Sequence, residues 1–234
     1  MVRTTYADVQ GRRFEMSIRL GDIAPDFEAD TTTGPIRFHD WKRGSWAILF
    51  SHPKDFTPVC TSELGRVAAL KPEFDRRNTR LLALSVDAIE THERWLGDIT
   101  DVTGATINFP IIGDPDRRIA LLYDMIHPNV SETHTVRSLF IIGPDNRVKL
   151  TLTYPVTTGR SIDEILRALD ALQLSADYAV ATPVDWKQGE EVVIAPTVSD
   201  DDARRRFPRG FVARKPYYRV TPQPNLPENQ APNA

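Results

Sequence analysis

The chain contains a single cysteine, Cys60, and the residues before it favour an ionised thiol. Thr57 and Pro58 have the residue types of a helix N-cap and of a first helical position, where the N–H group that proline lacks would have no partner. Cys60 then falls in the first helical turn, where unpaired N–H groups and the helix dipole favour an anion. A thiolate is a nucleophile, so this spacing predicts a reactive cysteine. The alternative is a small, buried apolar side chain.

Residues 51–63 read SHPKDFTPVCTSE, and this segment resembles the signature of the peroxiredoxin family. The pattern P-x-x-x-T-x-x-C is carried by Pro53, Thr57 and Cys60, and the longer run is similar to the one-cysteine subfamily. The resemblance extends over about residues 18–224 and also covers the runs DWKRGSW, TTGR and ATPVDWKQGE. It implies a thiol peroxidase that reduces hydrogen peroxide and organic hydroperoxides.

The resemblance implies roles for four residues. Cys60 would attack the hydroperoxide to give an alcohol and a cysteine sulfenic acid, which is a reversible stage of cysteine oxidation. Pro53 would shield the sulfur from water, and Thr57 would hydrogen-bond the peroxide or the sulfur. Arg137 would stabilise the thiolate and the charge that develops on the leaving oxygen. Taken alone, Pro53 is also explained as a strand end, Thr57 as a helix cap and Arg137 as the partner of a surface carboxylate.

Two neighbouring residues are candidates for supporting roles. His52 resembles the subfamily histidine near the reactive cysteine, and it would either tune the thiol or be a structural imidazole. Glu63 lies one helical turn after Cys60. There it would orient Arg137 or another arginine, or remain a solvated charge on the helix face.

The single cysteine also limits the redox partners and cofactors. The chain has no second cysteine for an intramolecular disulfide or a CxxC motif. An external thiol, either a small molecule or a partner protein, would therefore have to regenerate Cys60. The five histidines show no metal-binding spacing, and we expect no metal, haem, flavin or other cofactor.

A second activity is suggested by relatives in this subfamily that are reported as phospholipases with a Ser, His and Asp triad. The matching residues here are Ser45, His39 and Asp145. The serine of those relatives lies in a GxSxG-like sequence, whereas residues 43–47 read RGSWA and lack both outer glycines. Asp145 suits a turn and His39 suits a strand end, so the sequence favours structural roles for these two. A redox-controlled chaperone or scaffold is a third class of function.

Apolar runs and amphipathic patterns alternate along the first part of the chain and would position these residues. Three continuous apolar runs have the length of buried strands: 46–51, 81–86 and 138–142. Helical patterns follow the first two runs, from Leu64 to Phe74 and from about Ile89 to Ile99. A turn at 143–146 joins the third run to 148–153 as a hairpin. The alternation predicts a wound α/β sheet, and the resemblance implies a thioredoxin-like fold with a central mixed sheet flanked by helices.

Composition changes along the chain and predicts four segments. These are an N-terminal extension (1–17), a main α/β domain (18–176), a small C-terminal α+β domain (177–222) and a disordered tail (223–234). The resemblance implies that the main domain is a thioredoxin-like peroxidase domain and that the small one is a dimerisation domain. Ser161 is the expected cap of a helix that runs to about Leu172. The small domain has few apolar residues, so it should pack against the first domain or a second subunit. The resemblance implies a homodimer or a higher homo-oligomer.

Charge and hydropathy exclude two classes of partner. The 29 basic and 32 acidic residues are spread along the sequence, which gives no basic patch for nucleic acid or an anionic membrane. No apolar stretch reaches the length that crosses a bilayer, and the first twenty residues lack an apolar leader. Together with the single cysteine, these features predict a cytoplasmic protein with small-molecule or protein partners.

Overall fold

The computed structural model describes residues 5–7, 13–15 and 18–226, and the chain divides into two compact units, Met1–Arg160 and Ser161–Ala234. The strands of the described residues are β1 (Thr5–Ala7), β2 (Arg13–Glu15), β3 (Glu28–Ala29), β4 (Ile36–Arg37), β5 (Trp46–Ser51), β6 (Thr79–Ser85), β7 (Ile111–Gly113), β8 (Arg137–Ile142), β9 (Val148–Tyr154), β10 (Val180–Ala181), β11 (Val192–Ile194), β12 (Val212–Lys215) and β13 (Tyr218–Thr221). The helices are α1 (Phe38–Lys42), α2 (Pro58–Ala69), α3 (Lys71–Arg76), α4 (Ile89–Thr103), α5 (Arg118–Leu122), α6 (Ile162–Tyr178) and α7 (Asp200–Arg206).

A five-stranded mixed sheet in the order β7-β6-β5-β8-β9 forms the centre of the first unit. β5 is parallel to β6, and β6 is parallel to β7, whereas β8 is antiparallel to both β5 and β9. Every residue of β5 is buried, as expected for a central strand that is covered on both faces. The predicted fold class is confirmed, including the hairpin of β8 and β9.

The antiparallel pairing of β5 and β8 brings the end of one strand to the start of the other. Phe50 pairs with Leu139, so the chain leaves β5 at the edge of the sheet where β8 begins with Arg137. The Ser51 hydroxyl makes two hydrogen bonds across this edge, at 2.6 and 3.1 Å. The segment that leads from Ser51 into α2 therefore shares one edge of the sheet with Arg137.

Aromatic side chains stabilise the sheet from one side. The rings of Phe27 and Phe38 stack with their centroids 4.9 Å apart, and Tyr123 meets Phe27 edge-on at 5.7 Å. All three belong to an apolar cluster that includes side chains of β5 and β6. Burial of one phenylalanine side chain contributes about 1.5–3 kcal/mol, so each buried ring of this cluster stabilises the first unit on that scale.

Helix boundaries differ from the predictions where a local signal intervenes. The periodic run from Leu64 to Phe74 is two helices, because Pro72 lacks the N–H group that would continue α2. α4 continues past Ile99 to the residue before Gly104, whose φ of 72° is the left-handed conformation common after helices.

The second unit contains α6, α7 and an antiparallel sheet in the order β10-β11-β13-β12. Ser161 caps α6 as predicted, since its Oγ accepts the Glu164 N–H at 3.2 Å, but the helix continues past Leu172 to Tyr178. An apolar cluster around the buried Trp186 lies within this unit. The expectation of a poor core is thus corrected, because residues of α6, α7 and the sheet supply apolar side chains together.

The two ends of the chain were predicted to lie outside the folded domains. β1 and β2 form an antiparallel pair inside the predicted extension 1–17. Residues 227–234 of the predicted tail lie outside the described residues, whereas Gln223 is buried and its Oε1 accepts the Gly189 N–H at 2.6 Å. Across the described ranges, no helix is long and apolar enough to cross a membrane.

Candidate active site

Cys60 is the third residue of α2, and the local structure agrees with the predicted helix start. Thr57 is the N-cap, with extended backbone angles of φ −121° and ψ 144°, and Pro58 is the first helical residue. The Cys60 side chain is fully buried. Its position in the first turn places a thiolate at the favourable end of the helix dipole.

The Thr57 hydroxyl does not cap the helix, although the residue stands at the cap position. It donates instead to the Lys54 carbonyl at 2.8 Å. The Thr57 carbonyl accepts both the N–H and the hydroxyl of Thr61 at 2.9 Å. The Thr57 hydroxyl oxygen keeps acceptor capacity, and the residue fixes the turn that precedes Cys60.

The loop between β5 and α2 contains a residue in an unfavourable backbone conformation. Phe56 has a φ of 54°, a left-handed value that costs an aromatic residue about 1–3 kcal/mol. Its ring remains 49% exposed and lies 6.2 Å from the ring of Trp95. Pro53, in the same loop, is buried. The surrounding structure therefore holds this loop in one shape at the entrance to α2.

Arg137 is the group that contacts the sulfur. Its Nη1 lies 3.4 Å from Cys60 Sγ and 2.6 Å from Glu63 Oε2. Nε and Nη2 donate to the Val156 carbonyl at 3.1 and 2.7 Å. Three of its nitrogens are thus held by fixed acceptors, and the guanidinium presents one edge to the sulfur.

Glu63 binds two arginines, not one. Its Oε1 accepts the N–H and Nε of Arg160 at 2.7 and 2.9 Å, and its Oε2 accepts Nη2 of the same residue at 2.9 Å. Arg160 also donates to the Ser138 carbonyl at 3.0 Å and lies over the ring of Phe50 at 5.2 Å. The alternative of a solvated Glu63 on the helix face is wrong, because only 4% of the residue is exposed.

The charges of this buried set favour an anion at the sulfur. Burial by itself would raise the pKa of Glu63, but the charge and hydrogen bonds of Arg160, with the charge of Arg137, hold it below its ordinary value. Two guanidinium groups and one carboxylate leave one unbalanced positive charge. A thiolate at Cys60 would balance this charge, and opposite charges attract each other more strongly in a low-dielectric environment than in water.

His52 belongs to a second buried cluster. Its Nε2 lies 2.7 Å from Asp55 Oδ1, and Nδ1 of His92 lies 2.6 Å from Asp55 Oδ2. His92 Nε2 lies 3.1 Å from the Ile112 carbonyl. All three side chains are fully or almost fully buried, so the imidazole of His52 is hydrogen-bonded to a carboxylate and not to solvent.

The same three residues are the candidate metal ligands of the described chain. Their ligand atoms lie within 4.8 Å of one another. The contacts of 2.7 and 2.6 Å to Asp55 have the length of hydrogen bonds, so protons join these groups. No metal-binding spacing was visible in the sequence, because His52 and His92 are far apart in the chain.

The structure gives each residue of the suggested phospholipase triad a separate partner. Ser45 Oγ donates to the Lys42 carbonyl, and Asp145 accepts from Lys149 Nζ at 2.7 Å. His39 lies in α1, not at a strand end as predicted, and its Nε2 lies 2.9 Å from the Ala24 carbonyl. Among the hydrogen bonds of the described residues, none joins two members of this triad.

Three residues of the two buried clusters received no predicted role from the sequence. Arg160 lies in the run TTGR, which contributed to the family resemblance but received no role. Asp55 lies three residues after His52, and outside a helix this spacing does not predict that two side chains meet. His92 lies inside the helix that was predicted after the second apolar run, and a histidine there is explained as one of the polar residues on the surface of that helix.

Comparison with protein families gives two matches along the chain. Residues 20–151 match the AhpC/TSA family, and residues 171–210 match the C-terminal domain of 1-Cys peroxiredoxin. The 1-Cys peroxiredoxin of Dictyostelium discoideum is 52% identical over 208 residues, which cover 89% of this chain and 86% of that protein. Peroxiredoxin-6 of Rattus norvegicus is 52% identical over 218 residues, which cover 88% of this chain and 97% of that protein.

Two solved structures share the fold at high similarity. A cysteine-to-serine mutant of the Peroxiredoxin 6 of Arenicola marina has a TM-score of 0.82 and 45% identity, covering 90% of this chain and 100% of its own. The yeast mitochondrial 1-Cys peroxiredoxin has a TM-score of 0.82 and 47% identity, covering 88% of this chain and 99% of its own. The yeast structure is described with a thiol resolving mechanism via glutathione/thioredoxin systems.

Proposed function

This chain belongs to the one-cysteine peroxiredoxins of the AhpC/TSA family and is a thiol-dependent peroxidase, and we propose that Cys60 is the thiol that attacks the hydroperoxide. The contact between Arg137 Nη1 and Cys60 Sγ at 3.4 Å carries this assignment. A guanidinium at this distance stabilises a thiolate, which is the nucleophilic form of the residue.

The reaction follows from the groups around the sulfur. The Cys60 thiolate attacks one peroxide oxygen, an S–O bond forms and the O–O bond breaks. The sulfur is oxidised to a sulfenic acid, and the other oxygen leaves with the electron pair of the O–O bond and takes up a proton to give water or an alcohol. Arg137 stabilises the negative charge on the oxygens during this step.

The remaining site residues hold the loop before Cys60 and the guanidinium of Arg137 in place. Thr57 holds the turn before Cys60 and offers its hydroxyl oxygen, and Pro53 contributes a buried, apolar wall to the same loop. Glu63 and Arg160 fix the guanidinium of Arg137 through the ion pair at 2.6 Å and the bonds that anchor the carboxylate. Of these, Glu63 and Arg160 are positioning residues, because they act through Arg137.

Reduction of the sulfenic acid requires thiols from outside the chain, which has one cysteine. One external thiol forms a mixed disulfide with Cys60 and releases water, and a second thiol then reduces that disulfide. The yeast relative is described with glutathione and thioredoxin systems, and thiols of these two kinds are the proposed reductants here. A single unpaired cysteine suits the reducing conditions of the cytoplasm, which is the proposed compartment.

A homodimer or a higher homo-oligomer is the proposed assembly. β12 is an edge strand whose four residues are all exposed. Val212 and the adjacent Tyr217 are 60% and 71% exposed, which is unusual for large apolar side chains beside a free sheet edge. Sedimentation of the purified protein would test this, and a monomer at micromolar concentration would exclude it.

A pulse of hydrogen peroxide tests the proposed nucleophile. The reduced protein is mixed with slight peroxide excess and a sulfenic-acid trap, and intact mass is followed with time. Rapid addition of one trap molecule, absent in Cys60→Ser, is the expected result. Labelling no faster than that of a free cysteine in solution would show that Cys60 is inert.

A further inference from the structure

The hydroxyl of Ser51 binds the backbone on both sides of Arg137. It donates to the Val136 carbonyl at 2.6 Å and accepts the Ser138 N–H at 3.1 Å. Ser51, Arg137 and Ser138 are all buried, so both hydrogen bonds are shielded from solvent. Val136 and Ser138 flank the residue whose guanidinium lies 3.4 Å from the sulfur of Cys60. One hydroxyl therefore holds the backbone of the group that contacts the reacting atom.

The residue types on the two strands explain why a side chain is needed at this point. The regular pairing of β5 with β8 ends with Phe50 and Leu139. Continued by three residues, the same register would set Pro53 opposite Val136. Proline has no N–H, so Pro53 cannot donate to the Val136 carbonyl as another residue of an antiparallel ladder would. The Ser51 hydroxyl supplies the donor that the proline lacks.

Ser51 is itself held in place by the strand on its other side. It pairs with Leu84 of β6 in the parallel ladder, and the following N–H, that of His52, donates to the Leu84 carbonyl at 2.9 Å. The backbone of Ser51 is thus fixed by β6, while its side chain reaches the segment that begins β8. A hydroxyl on a central strand positions its partner more precisely than one on a loop.

A second hydroxyl joins the same two segments in the opposite direction. Thr135 Oγ1, on the β8 side, donates to the His52 carbonyl, on the β5 side, at 2.8 Å. Both residues are fully buried. The two hydroxyls together tie residues 51–52 to residues 135–138, where one segment leads to Cys60 and the other to Arg137. The relative position of these two functional side chains therefore depends on this junction.

The other contacts of Arg137 hold the opposite end of its side chain. The guanidinium donates to the Val156 carbonyl and to the carboxylate of Glu63. Those contacts restrict where the guanidinium points, whereas Ser51 restricts where the side chain starts. Displacement of a reacting group by about 1 Å can slow a reaction about a hundredfold, so a shift at either end should change the rate.

We propose that Ser51 is a positioning residue of the peroxidase. Its hydroxyl holds the backbone of Arg137, in place of the N–H that Pro53 lacks, so that the guanidinium stays in contact with the sulfur of Cys60. Ser51 does not touch the peroxide, and its hydroxyl keeps its proton throughout the reaction. The inference rests on the proposed function of Cys60.

NMR of the reduced protein tests the contact itself. The Ser138 N–H should exchange with solvent at least about tenfold more slowly in the wild-type protein than in Ser51→Ala, whose methyl group cannot accept it. The Nε–H signal of Arg137, which is bonded to the Val156 carbonyl, should shift in Ser51→Ala. An unchanged Arg137 signal would overturn the proposal. So would a wild-type Ser138 N–H that exchanges as fast as an unprotected amide, even if Ser51→Ala fails to fold.

The rate of Cys60 oxidation tests the consequence for the reaction. Ser51→Ala should slow oxidation by hydrogen peroxide about tenfold, because Arg137 is no longer held against the sulfur. In an Arg137→Ala background the same substitution should change the rate less than about twofold, since the residue that Ser51 positions has lost its guanidinium. Stopped-flow fluorescence or competition kinetics measures the rates of all four proteins. An equal factor in both backgrounds would show that Ser51 does not act through Arg137.

Ser45→Ala is the matched control. Ser45 directly precedes β5, as Ser51 ends it, and its buried hydroxyl also donates to a backbone carbonyl, that of Lys42. The control should leave the peroxide rate, the exchange of the Ser138 N–H and the Arg137 signal at their wild-type values. A loss of rate in Ser45→Ala as large as that in Ser51→Ala would overturn the proposal, because any buried hydroxyl of this strand would then have the same effect.

The outcomes distinguish this inference from the proposed function. A wild-type Cys60 that reacts slowly with peroxide would refute the peroxidase assignment, while the Ser138 exchange and the Arg137 signal would still report the contacts of Ser51. A wild-type peroxide rate in Ser51→Ala would overturn the role of Ser51 and leave the peroxidase assignment intact.

Discussion

Glu63 and Arg160 form a bidentate ion pair inside the first unit, with Nε 2.9 Å from Oε1 and Nη2 2.9 Å from Oε2. The same carboxylate binds Arg137, and Arg137 contacts the sulfur of Cys60. The ion pair is therefore one residue away from the reacting atom. Loss of the ion pair should therefore lower both the free energy of unfolding and the rate of peroxide reduction.

Glu63→Gln should lower the free energy of unfolding by about 3–5 kcal/mol, because it leaves two buried guanidinium groups without their shared carboxylate. Urea unfolding at neutral pH measures this. The matched control is Glu164→Gln, which removes a partly exposed carboxylate paired with Arg167 and should have a much smaller effect. If the two substitutions lower the free energy of unfolding equally, the buried ion pair contributes no more to stability than the one at the surface.

The same ion pair predicts a dependence of stability on pH. The pKa of Glu63 is lowered in the folded protein, so the unfolded chain binds the proton more readily. The stabilisation is complete above the unfolded pKa of about 4.3 and is lost as the pH falls through the folded value. In acid, the free energy of unfolding of the wild-type protein should approach that of Glu63→Gln. If the difference between the two proteins does not change with pH, protonation of Glu63 is not linked to unfolding.

Arg137→Ala should slow oxidation of Cys60 by peroxide by roughly 10²–10³, the usual effect of removing one donor to a developing negative charge. Arg137→Lys should recover only part of this rate, since an ammonium cannot bind Glu63 and the Val156 carbonyl in the same fork geometry. Stopped-flow fluorescence or competition kinetics measures the step. Arg118→Ala, at an exposed arginine, is the control and should react at the wild-type rate.

Thr57→Val should slow peroxide oxidation, because it removes the hydroxyl that bonds to the Lys54 carbonyl at 2.8 Å and leaves no polar atom for the peroxide. Thr57→Ser keeps the hydroxyl and should stay within about threefold of wild type, consistent with a difference of less than about 1 kcal/mol. The measurement is the second-order rate with hydrogen peroxide. Equal rates for the two variants would limit Thr57 to a structural role.

Ser45→Ala separates the peroxidase from a phospholipase. Ser45 is bonded to the Lys42 carbonyl and not to His39 or Asp145, so the substitution should spare peroxide reduction. We also expect no ester hydrolysis in the wild-type protein that depends on Ser45. A hydrolase activity that is present in wild type and lost in Ser45→Ala would revive the phospholipase interpretation.

The helix start at Cys60 was predictable because it depends on neighbours in the chain. An N-cap type at Thr57 and a proline after it determine which residue falls in the first turn. The buried strands were predictable for a related reason, since continuous apolar runs of strand length suit sheets covered on both faces. The family resemblance then identified Arg137, which lies 77 residues after Cys60.

Only the tertiary structure decided which charged groups meet. Arg160 binds Glu63 across 97 residues, and His92 binds Asp55 across 37 residues. Local propensity carries no information about such pairs, because they depend on the order and register of the strands that bring distant segments to one edge. The sequence therefore determined that Cys60 stands at a helix start. The packed sheet determined that this helix start meets a buried pair of arginines joined by one carboxylate.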